Sequence, residues 1–230
     1  MSKLIIYHGS KNVIEKPIFG IGKKTNDFGL GFYCTKDINM AKEWAVSPLE
    51  DGYSNMYEID TKYLKLLNLN SPEYNILNWI AVLVLNRAFD LKTPIARRAR
   101  QYLIDNYSVN VNAYDIIIGY RADDAYFDYA EAFLNNTISV NQLALAMKLG
   151  KLGEQIVIKS EYAFSLLKFK GFENVKTSDY YDMRKKRNEE ANKRYLEILE
   201  EDDNNNSLFI RDIMNGGVKN DDPRIPKNIS

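Results

Sequence analysis

Two kinds of hydrophobic pattern occur along the chain, in no strict order. Short segments in which apolar residues alternate or run continuously predict β-strands. The predicted strands are 4–7, 32–35, 53–59, 115–120, 155–159 and 165–169. Longer segments with apolar residues every three to four positions predict helices. The predicted helices are 38–46, 73–89, 94–107, a segment from 123 or 124 to 134, 140–149 and 188–201.

Strands and helices do not alternate regularly, which favours an α+β fold over a doubly wound parallel sheet. The helical pattern between residues 61 and 112 separates predicted strands, so we expect a helical insertion there. We predict one domain over residues 1–175, followed by a C-terminal segment, 176–230, that contains a charged helix.

The end of the chain has a different composition. From Asp202 onward it carries three consecutive asparagines and few large apolar side chains, which predicts a weakly packed tail. Its one apolar element, Leu208 to Met214, has two interpretations. It forms a short amphipathic helix that docks a neutralising partner, or it is a packed terminal helix or simple disorder.

Composition excludes some classes of function. Lys+Arg and Asp+Glu are both 31, so the net charge is zero, which argues against binding nucleic acid mainly through an overall field. A local basic patch stays possible. Two basic clusters, Arg97-Arg98-Arg100 and Arg184-Lys185-Lys186-Arg187, are typical of exposed helix faces, and for the second cluster contact with nucleic acid is the alternative. The single cysteine, Cys34, excludes an internal disulfide framework and favours a cytoplasmic protein. No apolar run is long enough to span a bilayer, so we expect no membrane partner.

Three short motifs carry the candidate chemistry. They are Tyr7-His8-Gly9-Ser10, Phe28-Gly29-Leu30-Gly31-Phe32-Tyr33 and Gly153-Glu154-Gln155-Ile156-Val157-Ile158, and each borders a predicted strand. They offer, in order, the only histidine of the chain, an aromatic ring and a carboxylate. Cleavage of a nicotinamide–ribose bond needs such groups, because a carboxylate stabilises an oxocarbenium-like transition state and a flat ring clamps the leaving group.

The ordered trio of His8, Tyr33 and Glu154 resembles the His–Tyr–Glu signature of ADP-ribosyltransferases of the diphtheria-toxin and poly(ADP-ribose) polymerase class. The stretch 4–169 is similar to a bacterial family of that fold. Its members are often encoded beside small partner proteins, as toxin–antitoxin modules are. The resemblance implies an ADP-ribosyltransferase-like split mixed/antiparallel β core, NAD as co-substrate and no metal.

The resemblance also implies roles for residues. Glu154 would be the catalytic carboxylate that holds the ribose 2′-hydroxyl, and His8 would bond the nicotinamide ribose. Gly9 would bond the carboxamide through its backbone, beside Ser10 of the same motif. Tyr33 would stack on the nicotinamide.

Further residues complete the expected site. Trp44 falls where the polymerases place a second stacking aromatic, although a core anchor of its helix is the alternative. Ala41 replaces a serine of that class, which removes about 1 kcal/mol of hydrogen bonding to the carboxamide. Arg121 would meet the NAD pyrophosphate or an acceptor phosphate. Asp123 or Asp124 would orient the acceptor, or cap a helix.

The expected function is an NAD-dependent mono-ADP-ribosyltransferase that modifies protein, RNA or DNA. The resemblance implies a bacterial toxin or phage-defence effector, silenced by a small antitoxin protein. Two alternatives stay open: an NAD glycohydrolase that uses water as acceptor, and a catalytically silent module that binds a nucleotide or partner in the same cleft.

Overall fold

The chain forms a mixed α+β fold with two β-sheets, which confirms the predicted class. A computed structural model describes residues 3–122, 124–147, 153–200 and 207–227, with the backbone alone for residues 124–126. Within these residues no helix combines the length and the apolarity needed to cross a membrane.

The described residues form seven strands and eight α-helices. The strands are β1 (Lys3–Ser10), β2 (Phe32–Cys34), β3 (Gly52–Asp60), β4 (Leu66–Asn68), β5 (Ile116–Tyr120), β6 (Glu154–Ile158) and β7 (Lys168–Val175). The helices are α1 (Ile38–Ala45), α2 (Ile76–Asn86), α3 (Pro94–Tyr107), α4 (Asp124–Leu134), α5 (Val140–Ala146), α6 (Glu161–Ser165), α7 (Thr177–Glu200) and α8 (Ile210–Gly216). A short 3₁₀ helix covers Val111–Ala113.

One sheet is antiparallel in the order β1-β3-β7, and the other is mixed in the order β2-β6-β5-β4. Apolar side chains from both sheets form a shared core, among them Ile6, Tyr57 and Ile156. Cys34 is fully buried in this core, as a small apolar residue would be, and burial raises the pKa of its thiol. A second, larger core lies between the mixed sheet and the helices.

One isolated backbone pair links the edges of the two sheets. The amide of Tyr7 donates to the carbonyl of Thr35 over 2.8 Å, and the amide of Thr35 donates back to Tyr7 over 2.9 Å. Beyond this pair β1 stays with β3, and β2 stays with β6. The two strands therefore separate, and the groups that follow Tyr7 and precede Thr35 face a gap between the sheets.

Helix α1 packs directly on the backbone of β1. Its N-terminus is capped by Asp37, whose carboxylate accepts from the amides of Asn39 and Met40. At Gly9 a Cβ atom would lie 1.9 Å from the carbonyl oxygen of Ala41. Only glycine permits this approach, so the position of α1 depends on the second residue of the His-Gly pair.

Helix α7 supports α1 from behind. Arg187 of α7 forms an ion pair with Glu43, a buried residue of α1, and also donates to the sulfur of Met40 over 3.8 Å. Breaking a buried ion pair by removing one partner is costly, because the other charge is left uncompensated. Helix α7 therefore contributes to the placement of α1.

Some predicted boundaries were wrong, for local reasons. The insertion at 61–112 contains α2 and α3 but also β4, a strand of three residues that is too short to show a period. Residue 165 ends a short helix instead of starting a strand, and β7 follows it as a largely exposed strand with little hydrophobic contrast. Helix α7 begins at Thr177 instead of 188; its first turns are largely polar, and their few apolar side chains include the partly buried Tyr180 and Tyr181.

The described part of the tail, residues 207–227, is well packed, so the expectation of weak packing was wrong for this segment. Its few apolar side chains enter the helical core; they are Leu208, Ile210, Ile213, Val218 and Ile225. The amide of Asn75, at the start of α2, also donates to the backbone carbonyl of Asn220 over 2.9 Å. A packed terminal helix, the second interpretation of the sequence, describes this segment better than a free docking element. Its burial depends on the surface of the helices against which it packs, and not on its apolar content alone.

We expect Ile213→Ala to lower the free energy of unfolding by about 2–5 kcal/mol, because it leaves a cavity at a fully buried position. The matched control is Asn215→Ala on the exposed side of the same helix, with an expected change within about 0.5 kcal/mol. Urea unfolding measures both. Equal stability of the two variants would mean that α8 contributes little to the fold.

Candidate functional site

A cleft of about 240 Å³ opens where β1 and β2 separate. Its walls come from both sheets, from α1, from the end of α2 and from two loops. The lining residues are His8, Gly9, Asn26, Asp27, Tyr33, Trp44, Arg87, Arg121, Ala122 and Gln155. Five of the residues named from the sequence, His8, Gly9, Tyr33, Trp44 and Arg121, therefore lie together.

The imidazole of His8 is fixed in one tautomer. Its Nδ1–H donates to the carbonyl oxygen of Tyr33 over 2.7 Å, and its ring packs on Phe32 with centroids 4.3 Å apart. Burial lowers the pKa of His8, only partly offset by this hydrogen bond. The ring is therefore neutral near pH 7, and its Nε2 is a hydrogen-bond acceptor suited to a hydroxyl group.

The backbone of Gly9 also faces the cleft. In an antiparallel pair the N–H and C=O groups of successive residues point alternately to the two sides of the strand. Those of Tyr7 point to Thr35, so those of Gly9, two residues further on, point the same way. With β2 no longer alongside, this N–H and C=O pair is directed into the cleft, where it can match a carboxamide.

Tyr33 forms an aromatic wall that is locked in place. Its hydroxyl donates to the carbonyl of Gly29 over 2.6 Å and accepts from the amide of Phe28 over 3.1 Å. Burial raises the pKa of Tyr33, so the phenol stays protonated. The carbonyl of Phe28 is held in turn by Lys159 Nζ over 2.8 Å. The ring and the loop before it are thus one rigid unit.

Trp44 and Arg121 meet at another wall of the cleft. The Arg121 guanidinium lies 4.6 Å from the centroid of the Trp44 ring, which is the geometry of a cation–π contact. Trp44 reaches the cleft from α1, the helix that rests on Gly9. The cleft therefore combines two aromatic walls with a cation that can approach a phosphate or carboxylate.

Asp27 is a cleft residue that the sequence reasoning missed. Its carboxylate accepts from the amide of Ala122 over 2.9 Å and from the Gln155 side chain over 2.8 Å, and Arg87 Nε lies 3.7 Å away. Burial raises the pKa of Asp27, while these hydrogen bonds and the cations Arg87 and Arg121 oppose the shift. Its position directly before Phe28-Gly29 was the available signal, but its partners lie far along the chain.

Glu154 is not among the described residues that line the cleft. Its carboxylate accepts from the Asn70 amide over 3.0 Å and lies 3.6 Å from Lys36 Nζ. Gln155 faces the cleft instead, and successive strand residues point to opposite faces. Glu154 therefore points away from the face that Gln155 presents to the cleft, and its carboxylate contacts Asn70 and Lys36.

Three further residues expected at the site are not among those that line the cleft: Ser10, Asp123 and Asp124. The Ser10 hydroxyl donates to the carbonyl of Asn12 and accepts from the buried amide of Asn55, which ties it to the β1–β3 pair. Asp123 and the side chain of Asp124 lie outside the described residues. Their expected role in orienting an acceptor stays a prediction.

A second cavity, of about 360 Å³, adjoins the cleft. The two share His8, Asn26 and Tyr33, and the second is closed by apolar residues of the loop after β1, including Ile14 and Ile18. Together they form a continuous site with a polar half and an apolar half. No group of three or more potential metal ligands occurs among the described residues.

Comparison with known proteins gives the family of the chain but no activity. Residues 4–169 match a family described as "Protein of unknown function (DUF3990)", and the chain belongs to this family. No curated protein and no solved structure matches the chain significantly. The matched residues include every described residue of the cleft, and exclude α7 and α8.

We expect Gly9→Ala to lower the free energy of unfolding by about 1–3 kcal/mol, because the new methyl group would displace α1. Trp44 moves with the helix, so its fluorescence should change as well. The control is Gly216→Ala, where the nearest atom to a new Cβ is 3.6 Å away. A Gly9→Ala protein with unchanged stability and fluorescence would contradict the packing of α1 on β1.

The pKa of His8 predicts a dependence of stability on pH. Just below its ordinary pKa of 6.5 the unfolded chain binds more protons at this residue than the folded chain, since burial lowers the folded value. The free energy of unfolding should therefore fall as the pH drops from about 7 to about 5. His8→Gln should lack this part of the decrease. Asp27, whose raised pKa acts with the opposite sign, contributes to both proteins and cancels in the difference.

Urea unfolding of both proteins at several pH values measures this difference. Parallel pH profiles for the two would show that His8 titrates normally in the folded chain.

Proposed function

We propose that the protein is an NAD-dependent mono-ADP-ribosyltransferase that transfers ADP-ribose to a macromolecule and releases nicotinamide. The observation that carries the proposal is the convergence of His8, Gly9, Tyr33 and Trp44 on one cleft from three separate elements. These are residues to which the resemblance to His–Tyr–Glu transferases assigns nicotinamide and its ribose.

The chemistry of these groups fits the substrate. The neutral His8 offers Nε2 to a ribose hydroxyl, and the Gly9 backbone offers a donor and an acceptor to the carboxamide. Two aromatic side chains, Tyr33 and Trp44, provide flat surfaces for the nicotinamide ring. The adjoining apolar cavity, of about 360 Å³, enlarges the space next to these groups.

The proposed reaction breaks the bond between nicotinamide nitrogen and ribose C1′. The bonding electron pair stays with nicotinamide, which loses its positive charge, and the nucleophile of the acceptor bonds to C1′ and releases a proton. A carboxylate beside the ribose stabilises the positive charge that develops. Glu154 is the candidate, and in this role it exchanges Lys36 or Asn70 for the ribose 2′-hydroxyl.

By resemblance, we extend the proposal to the biological role of a bacterial toxin or phage-defence effector, acting in the cytoplasm and silenced by a small antitoxin protein. Transfer of a single ADP-ribose is sufficient for such a role. The antitoxin would bind elsewhere than at α8, because the apolar residues of this helix are packed in the core.

One observation favours a second function. The Glu154 carboxylate is engaged by Lys36 and Asn70, and does not line the cleft with His8 and Tyr33. A module that binds a nucleotide without cleaving it would have this arrangement. It predicts nucleotide binding without nicotinamide release.

The test uses purified protein and adenylate-labelled NAD in a whole bacterial lysate, divided afterwards into protein, RNA and DNA fractions. We expect nicotinamide release, label in one fraction, and a loss of at least about 100-fold for Glu154→Gln. Glu161→Gln, an exposed carboxylate on α6, is the matched control and should retain full activity.

The other possible results of this test distinguish the alternative functions. Nicotinamide release without label indicates hydrolysis, in which water is the acceptor. NAD binding without release would reject the transferase and support the silent module. Full activity of Glu154→Gln would remove that residue from the catalytic role.

A further inference from the structure

A groove with basic side chains lies directly beside the cleft. It has a volume of about 490 Å³ and is formed by the loop after α2 and the first turns of α3. Its lining residues, hereafter the basic groove, are Arg87, Ala88, Phe89, Leu91, Arg97 and Arg100. Arg87 lines both the groove and the cleft, so the two are continuous at this side chain.

Two guanidinium groups of the basic groove are held in place by the backbone. Arg97 Nη1 donates to the carbonyls of Leu91 and Lys92 over 2.9 and 2.8 Å, and Arg100 Nε donates to the carbonyl of Val84 over 3.0 Å. No carboxylate of the described residues lies within ion-pair distance of either arginine. Both charges are thus oriented in advance and available to an anion, which lowers the entropy cost of binding.

Aromatic rings lie beside Arg87, the residue that the groove and the cleft share. Phe89 stacks on Phe127 with centroids 4.9 Å apart, and the Arg87 guanidinium lies 4.2 Å from the centroid of Phe127. Arginines next to stacked rings suit single-stranded nucleic acid, because guanidinium groups bind phosphates and rings stack on unpaired bases. An acidic peptide would use the charges but not the rings.

We propose that the basic groove binds single-stranded nucleic acid and presents one nucleotide to the cleft as the acceptor of ADP-ribose. The role of the nucleotide as acceptor rests on the proposed transferase activity, whereas binding of the strand in the groove does not. In the transfer a nucleophilic atom of the nucleotide bonds to ribose C1′, nicotinamide leaves with the bonding pair, and the acceptor proton goes to solvent. The zero net charge of the chain is compatible with this role, since the charge acts locally.

The test measures fluorescence anisotropy of labelled single-stranded RNA and DNA oligonucleotides of mixed sequence over a range of salt concentrations. We expect Arg97→Gln to weaken binding about tenfold at low salt and to reduce the salt slope by about one. Arg98→Gln makes the same change of charge at the next residue of α3, which lines a different depression with Pro94 and Arg211. We expect that control to bind like the wild type.

Arg97→Lys retains the charge and should recover most of the affinity, whereas a purely structural role of the guanidinium would not be rescued in this way. Urea midpoints equal to that of the wild type confirm that the variants are folded. Absence of oligonucleotide binding by the wild-type protein, equal losses in Arg97→Gln and Arg98→Gln, or preferential binding of an acidic peptide would overturn the proposal. The RNA and DNA samples distinguish the two sources of the strand.

Nicotinamide release, measured on the same proteins with NAD, separates this inference from the proposed function. If oligonucleotide binding depends on Arg97 but no nicotinamide is released, the basic groove is a binding site and the proposed transferase activity is wrong. If nicotinamide is released and protein is labelled but no oligonucleotide binds, the transferase activity is supported and the proposed role of the basic groove is wrong.

Discussion

The pair of hydrogen bonds between Tyr7 and Thr35 is the constraint on which the site depends. It is the point where β1 and β2 meet, whereas along their lengths β1 pairs with β3 and β2 pairs with β6. A continuous pairing would satisfy the backbone of Gly9 and close the gap. Because the pairing stops, backbone groups, the His8 ring and the Tyr33 ring face a common space without any need for a long loop.

The electrostatics of this space rest on two carboxylates in different settings. Asp27 is buried, bonded by an amide and by Gln155, and close to Arg87. It joins the loop before β2 to β6 and to the end of α2, and thereby holds the cleft together. Glu154 is about one third exposed and weakly paired, so it can exchange partners at a lower cost in desolvation.

Local patterns predicted the elements that carry the motifs. Helix α3 begins at Pro94 and ends at Tyr107, the two bounds that the helical spacing of apolar residues predicted. The convergence of His8, Tyr33 and Trp44 was expected only through the resemblance of their motifs. Arg87 could not be predicted, because it follows α2 without a local signal and reaches the cleft through tertiary packing.

Other features depend on contacts between distant residues. The hydrogen bond from Asn70 to Glu154 spans 84 positions of the chain, and no period in the sequence encodes it. The packing of the tail was missed for the same reason: Ile213 is one of few apolar residues there, yet it is fully buried against helices formed much earlier. The composition of a segment therefore does not show whether another part of the protein offers an apolar surface against which it can pack.

The ion pair between Arg187 and Glu43 affects where the chain can be truncated without disturbing α1. The family match ends at residue 169, and a protein cut there would retain every described residue of the cleft. It would lose Arg187 and the rest of α7, which pack on Glu43 of the helix that carries Trp44, and it would end after the second residue of β7. The segment that the family match covers and the segment that holds α1 in place therefore have different limits.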